Sequence, residues 1–189
     1  MNICIYGAAS DLIDKSYIAA GEALGEVIAA KGHKIVFGGG AEGMMGAAAR
    51  GCKRRSGYLI GISPSFFKVD GVLYDKCDEF YYTETMRERK QLLEEKSDGF
   101  LVTPGGIGTF DELFEILSLR QLGRHSKPIL LFNVNGYFDP LLKMLQNAVN
   151  QNFVKKDNLS LLAAESEPEK AVEYLEHYRA DDKSVTQYR

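Results

Sequence analysis

A chain of 189 residues, 45% of them apolar, is long enough to close one full hydrophobic core and short for two, so a single domain is expected. With 26 acidic against 23 basic residues the formal net charge is −3, which argues against a dedicated nucleic-acid surface or an anionic membrane as partner. Cys4, Cys52 and Cys77 form no C-x-x-C, no signal-type leader or apolar run of about 18 residues occurs, and His33, His125 and His177 lack ligand spacing, so a reduced, cytoplasmic protein without a metal is expected.

In chain order, Asn2 to Tyr6 make a short apolar strand ended by Gly7, and Ala8-Ala9-Ser10 leads into a helix that stops at Lys31-Gly32. A second strand, His33 to Phe37, breaks at Gly38-Gly39-Gly40, and a helix begins near Gly43. The third strand, Tyr58 to Ile62, precedes an irregular stretch from Pro64 to Lys76, and loops of that length tend to serve ligands. A fourth strand, Glu79 to Tyr82, feeds a helix opened by Thr85 with Glu88 three residues on, the pattern of a capping box. The fifth strand, Gly99 to Thr103, runs into Pro104-Gly105-Gly106-Ile107-Gly108-Thr109-Phe110-Asp111-Glu112 and a helix ending near Gly123. Pro128 to Phe132, a helix from about Phe138 to Val149, a short strand near Leu159 to Ala163 and a helix from Pro168 to Tyr178 complete a domain over residues 1–178. Residues 179–189 read as a polar tail. Strands alternating with helices specify a doubly wound parallel α/β sheet with helices on both faces, whose ligands bind beyond the carboxyl ends of the strands.

Two glycine turns fall at that edge. In the second, Gly105, Gly106 and Gly108 bring bare backbone to a helix start, where free N–H groups and the helix dipole favour an anion, most often a phosphate. The same letters admit a plain helix start, with Thr109 and Glu112 as a capping box. The first turn, Gly38 to Gly43, formally satisfies G-x-G-x-x-G, but it follows the second strand and lacks an acidic residue about 20 positions on, which argues against a nicotinamide or flavin cofactor.

Arg87, Arg89 and Lys90 crowd the first turns of a helix, where the dipole is already positive, so each needs a compensating anion. Arg89 and Lys90 could reach a phosphate or Glu112; the plain alternative is a solvated face with Glu88, Glu94 and Glu95. Glu115 shares a helix face with Glu112 and is expected to neighbour Arg120 or Arg124. Phe66, Phe67, Tyr81, Tyr82 and Met86 could stack a base, although most aromatics of such a domain are core.

Taken in order, the stretches 38–46, 85–90 and 104–112, with Gln121 to Pro128 and Asn133 to Tyr137, resemble the LOG (Lonely Guy) proteins, the cytokinin riboside 5′-monophosphate phosphoribohydrolases often mislabelled lysine decarboxylases. The likeness covers residues 2 to 178. It implies a Rossmann-like fold, a homodimer, no organic cofactor, and cleavage of a purine nucleotide's N-glycosidic bond to free base and ribose 5-phosphate. Carried residue by residue, the catalytic pair falls on Arg89 and Glu112, with phosphate contacts at Gly105, Gly106, Gly108 and Thr109 and with Lys90 beside the arginine. Ile107 within the turn, Gly39, Gly40 and Gly43 opposite it, and Ser10 after the first strand complete the expected binding set. Arg87 stands where the family has histidine, Ile107 where it has tyrosine, and Leu119 where tryptophan is common. The expected substrate is AMP or an N6-substituted AMP; the alternative is a non-catalytic carrier of a nucleotide or molybdopterin-type cofactor using the same cradle.

Overall fold

Along the strands, apolar side chains alternate between two faces, and each face is covered by its own set of helices. The computed structural model describes residues 1–180. Its elements are β1 (Asn2–Tyr6), α1 (Lys15–Ala30), β2 (Lys34–Phe37), α2 (Gly43–Arg54), β3 (Tyr58–Pro64), β4 (Glu79–Thr83), α3 (Met86–Glu95), β5 (Gly99–Val102), α4 (Ile107–Gln121), β6 (Ile129–Phe132), α5 (Asp139–Asn150), β7 (Ala163–Glu165) and α6 (Pro168–His177). The strands form one seven-stranded sheet in the order β4-β3-β2-β1-β5-β6-β7. Every pairing is parallel.

Ile3, Ile5, Ile35, Phe37, Leu101 and Leu130 pack with α1, α2 and α6, whereas Cys4, Tyr6, Val36, Phe100, Val102 and Leu131 pack with α3, α4 and Phe138 ahead of α5. Strands buried on both faces explain the near-continuous apolar runs of the sequence. Starting from β1 the chain winds outward to β4, returns to β5 beside β1, and winds outward again to β7. The reversal between β1 and β5 opens a crevice at the carboxyl edge, the usual ligand position in such sheets.

Three elements have a boundary more than one residue from the sequence expectation. The first helix begins at Lys15 rather than directly after Ala8-Ala9-Ser10, because Asp14 caps it by accepting from the Ser16 N–H at 2.8 Å. That leaves residues 7–13 as a loop over the crevice. The last strand lies at Ala163–Glu165, while Leu159 belongs to a 3₁₀ turn, Lys156–Leu161, so the apolar run there is a buried turn. β3 extends through Ser63 to Pro64, two residues past Ile62. Beyond Ala180, the expected polar tail lies outside the described residues. No helix among the described residues is long and apolar enough to cross a membrane.

Candidate active site

The crevice is floored by the turn between β5 and α4, and that turn is held from several sides. Ala8 donates its N–H to Pro104 O at 3.0 Å, Thr103 bonds Tyr6 O through both its N–H (2.8 Å) and its hydroxyl (2.9 Å), and the Tyr137 hydroxyl donates to Gly105 O at 2.5 Å. A Cβ on residue 105 would lie 2.1 Å from Thr109 Oγ1, so close packing alone demands glycine there. Gly106 and Gly108 are different: a Cβ at either would meet nothing within 4 Å, and neither has a positive φ. Nothing among the described residues requires glycine at these two positions, and the space they leave opens into the pocket.

The expected Thr109–Glu112 capping box does not form. α4 starts at Ile107 with Gly106 as its N-cap and no side-chain cap, which puts Thr109 inside the first turn and Glu112 in the second. Among the described residues the N–H groups of Ile107, Gly108 and Thr109 find no acceptor, and neither does the Thr109 hydroxyl, although Thr109 is only 4% exposed. Unpaired donors at a helix start that opens into a pocket suit an anion.

Glu112 turns instead toward α3. Arg89 Nη1 donates to Glu112 Oε1 at 2.6 Å, and the two residues are 7% and 6% exposed. Room for the arginine comes from Gly38 at the end of β2, where a Cβ would stand 2.1 Å from Arg89 Nη2. Burial pushes the Glu112 carboxyl above its ordinary value, although Arg89 pulls the other way. Glu112 is thus a stronger base than a surface glutamate, with its second oxygen unengaged among the described residues.

Lys90 sits beside this pair but does not line the pocket. Its ammonium lies 3.0 Å from Asp111 Oδ2 and 2.5 Å from Glu115 Oε2, so the partner of Glu115 is Lys90 rather than Arg120 or Arg124. Arg120 is turned to Lys127 O and the Tyr178 hydroxyl. The solvated-face alternative is displaced for Arg89 and Lys90, which meet carboxylates of α4, and Glu88 is taken up by the N–H groups of Glu84 and Thr85 in a complete capping box, whereas Arg87 is exposed as that alternative expects.

The pocket has a volume of about 650 Å³. Of the first glycine turn, Gly40 lines it. Gly39 and Gly43 answer to the backbone, with φ of +78° and +62°, and to packing, since a Cβ at 39 would meet Phe80 and one at 43 would meet Ala8 O. Ser10 lines the pocket near Asp11 and Glu42, two exposed carboxylates that cannot hold a phosphate. Ile107, 88% exposed, points away to the surface. The far wall comes from the loop after β3, pinned to the first glycine turn by Ala41 N–H to Val72 O at 3.0 Å and Tyr74 N–H to Gly39 O at 2.8 Å. It contributes Phe67, Val72 and Leu73, with Met45 and Met86 nearby. Gly38, Ser63 and Tyr137 escaped the sequence reading as site residues. Gly38 heads a glycine run and Tyr137 ends the Asn133 to Tyr137 stretch, so both could have been found; Ser63 carries no local signal.

The profile of a family described as "Possible lysine decarboxylase" matches residues 45–175. The chain is 37% identical over 152 residues to the cytokinin riboside 5′-monophosphate phosphoribohydrolase of Mycobacterium tuberculosis, across 80% of this chain and 81% of that protein. It is 32% identical over 176 residues to the cytokinin riboside 5′-monophosphate phosphoribohydrolase LOG of Oryza sativa, across 93% and 73%. In fold it is similar to the molybdenum cofactor binding protein of Rippkaea orientalis, with a TM-score of 0.68 and 24% identity over 93% of each chain.

Proposed function

This chain belongs to the LOG family, and we propose that it is an N-glycosyl hydrolase, a nucleoside 5′-monophosphate phosphoribohydrolase that releases the base of AMP or an N6-substituted AMP and leaves ribose 5-phosphate. One observation carries the reading: a buried carboxylate–guanidinium pair stands beside a helix start whose open glycine spaces and unpaired N–H groups suit a phosphate. The phosphate accepts from the amides and hydroxyl of the Gly106 to Thr109 turn. As the bond to the base lengthens, positive charge grows on the sugar; Glu112 stabilises it or takes a proton from the water that adds to the anomeric carbon. Arg89 orients Glu112. A carboxylate beside a bound phosphate is repulsive in the ground state and becomes favourable only when the sugar turns cationic, which is why a catalyst fits this site better than a carrier.

Decarboxylation through a pyridoxal Schiff base needs a lysine amine, and no lysine lines the pocket among the described residues. Chromatography of an AMP incubation tests the proposal: adenine and ribose 5-phosphate should appear in equal amounts. Tight retention of a nucleotide or pterin-type ligand with no turnover of any nucleoside monophosphate would replace the enzyme with the carrier.

For assembly we propose a homodimer. Ile107, Phe110, Phe114 and Leu117 recur at three- and four-residue spacing along one face of α4, and Ile107 and Phe114 are exposed. Light scattering should give twice the chain mass, falling toward one on Phe114→Glu. Free cysteines at 4, 52 and 77 fit a reducing, cytoplasmic setting, which cell fractionation tests.

A further inference from the structure

The pocket has an order across the sheet edge. Its cradle lies beyond β5, Arg89 rests over Gly38 at the end of β2, and the wall of Phe67, Val72, Leu73 and Met86 lies around the end of β3. From β5 to β3 is three strand spacings, about 14 Å at ~4.8 Å each, a span that a phosphate, a sugar and a bicyclic base laid end to end can bridge.

At the end of β3, on the side of the pocket that carries this wall, stands the Ser63 hydroxyl. Ser63 is 1% exposed, lines the pocket, and among the described residues its side chain has no hydrogen-bond partner. Ser63 Oγ is not one of the sealed unpaired side-chain atoms, so it faces the pocket, where a hydroxyl without a protein partner is free to bond a ligand. Among the described residues the Thr109 hydroxyl, at the cradle, likewise lines the pocket without a partner in a residue that is otherwise buried. Two such groups at opposite ends indicate a ligand that is polar at both ends and touches both.

We propose that Ser63 reads the base, forming a hydrogen bond with a nitrogen or exocyclic group on the base edge while Phe67, Val72, Leu73 and Met86 cover its faces. A phosphate at this end would find apolar side chains in place of amides. A purely hydrocarbon substituent would leave the hydroxyl unpaired, so it is the heteroaromatic edge that Ser63 meets. The inference rests on the reading above for the placement of the phosphate.

Titration calorimetry with AMP, IMP, GMP and ribose 5-phosphate, on protein carrying Glu112→Gln to suppress hydrolysis and with position 63 either wild type or Ser63→Ala, tests it without requiring turnover. The alanine should weaken the best-bound monophosphate roughly threefold to tenfold, the worth of one neutral hydrogen bond, and narrow the differences among the three bases, while ribose 5-phosphate, which has no base, binds unchanged. Melting curves verify that the variant folds, and Ser63→Thr, which keeps the hydroxyl, should restore part of the preference. Equal affinities with serine and with alanine at position 63 for all three monophosphates would overturn the inference, as would an equal loss for ribose 5-phosphate. Binding of AMP without hydrolysis by the protein that keeps Glu112 would remove the enzyme and leave the Ser63 comparison standing; failure to bind any of the four ligands would overturn both.

Discussion

The N-termini of α3 and α4 carry the same signature, Thr-x-x-Glu, and put it to opposite uses. At α3, Thr85 is the N-cap, its hydroxyl accepts from the Glu88 N–H at 3.2 Å, and Glu88 accepts in return from the Glu84 and Thr85 N–H groups, so side chains satisfy three donors there. At α4 the helix starts at Ile107, and Thr109 and Glu112 are too far inside it to cap. Its donors stay free, and Glu112 reaches the arginine that α3 supplies. The difference comes from glycine: Gly106 takes the N-cap position, where a larger residue would fill the crevice, and the helix then begins three residues earlier than a Thr109 cap would start it. A closed end makes a rigid support, and an open one makes a site.

The largest way to break this contrast is Glu112→Gln, which should lower turnover by about 10²–10⁴-fold, the usual worth of a positioned acid–base group, while AMP binding stays detectable. The fold should survive. A carboxyl whose folded pKa is raised contributes stability only below its unfolded pKa and loses it as pH rises through the folded value, so at neutral pH its charge is no net support. Kinetics beside a melting curve separate the two effects.

Next comes Gly108→Ala. Its Cβ meets no atom of the described residues within 4 Å, so exchanging glycine for alanine in a helix should stabilise by about 0.5–1 kcal/mol, whereas the methyl group enters the phosphate space and should raise KM on the order of tenfold or more. A variant that melts higher and binds worse would sharpen the distinction between glycines the fold needs, such as Gly105, and glycines the ligand needs.

A smaller effect is in pH dependence. Activity should fall as pH drops through the Glu112 pKa, which burial places above the ordinary glutamate value, so the acid limb of kcat lies at higher pH than for an exposed carboxylate. Arg89→Met removes the opposing pull and should move that limb higher still; a profile that did not move would detach Arg89 from Glu112.

The alternation of strand and helix was readable because parallel strands buried on both faces and amphipathic helices leave strong periods in the letters. What escaped was local competition. Ala8-Ala9-Ser10 is compatible with a helix, and only the cap at Asp14 decides that it is a loop; Leu159 to Leu162 is apolar in a turn as it would be in a strand. The capping box at Thr109 was ambiguous for a physical reason, since whether a threonine caps depends on where the helix begins, and Gly106 decides that. Lys90 looked like a phosphate ligand because spacing counts cations and cannot count the anions of another helix, here Asp111 and Glu115. Ser63 sits at the end of an apolar run, and nothing in its neighbours marks it.

The matched pair Thr85→Ala and Thr109→Ala, each titrated with ribose 5-phosphate and each melted, tests the central contrast most directly. Thr85→Ala should cost about 1 kcal/mol of stability and leave affinity intact; Thr109→Ala should leave stability nearly unchanged and weaken binding roughly tenfold or more. The opposite result, a destabilised Thr109→Ala that still binds fully, would make the α4 end an ordinary cap and contradict the account.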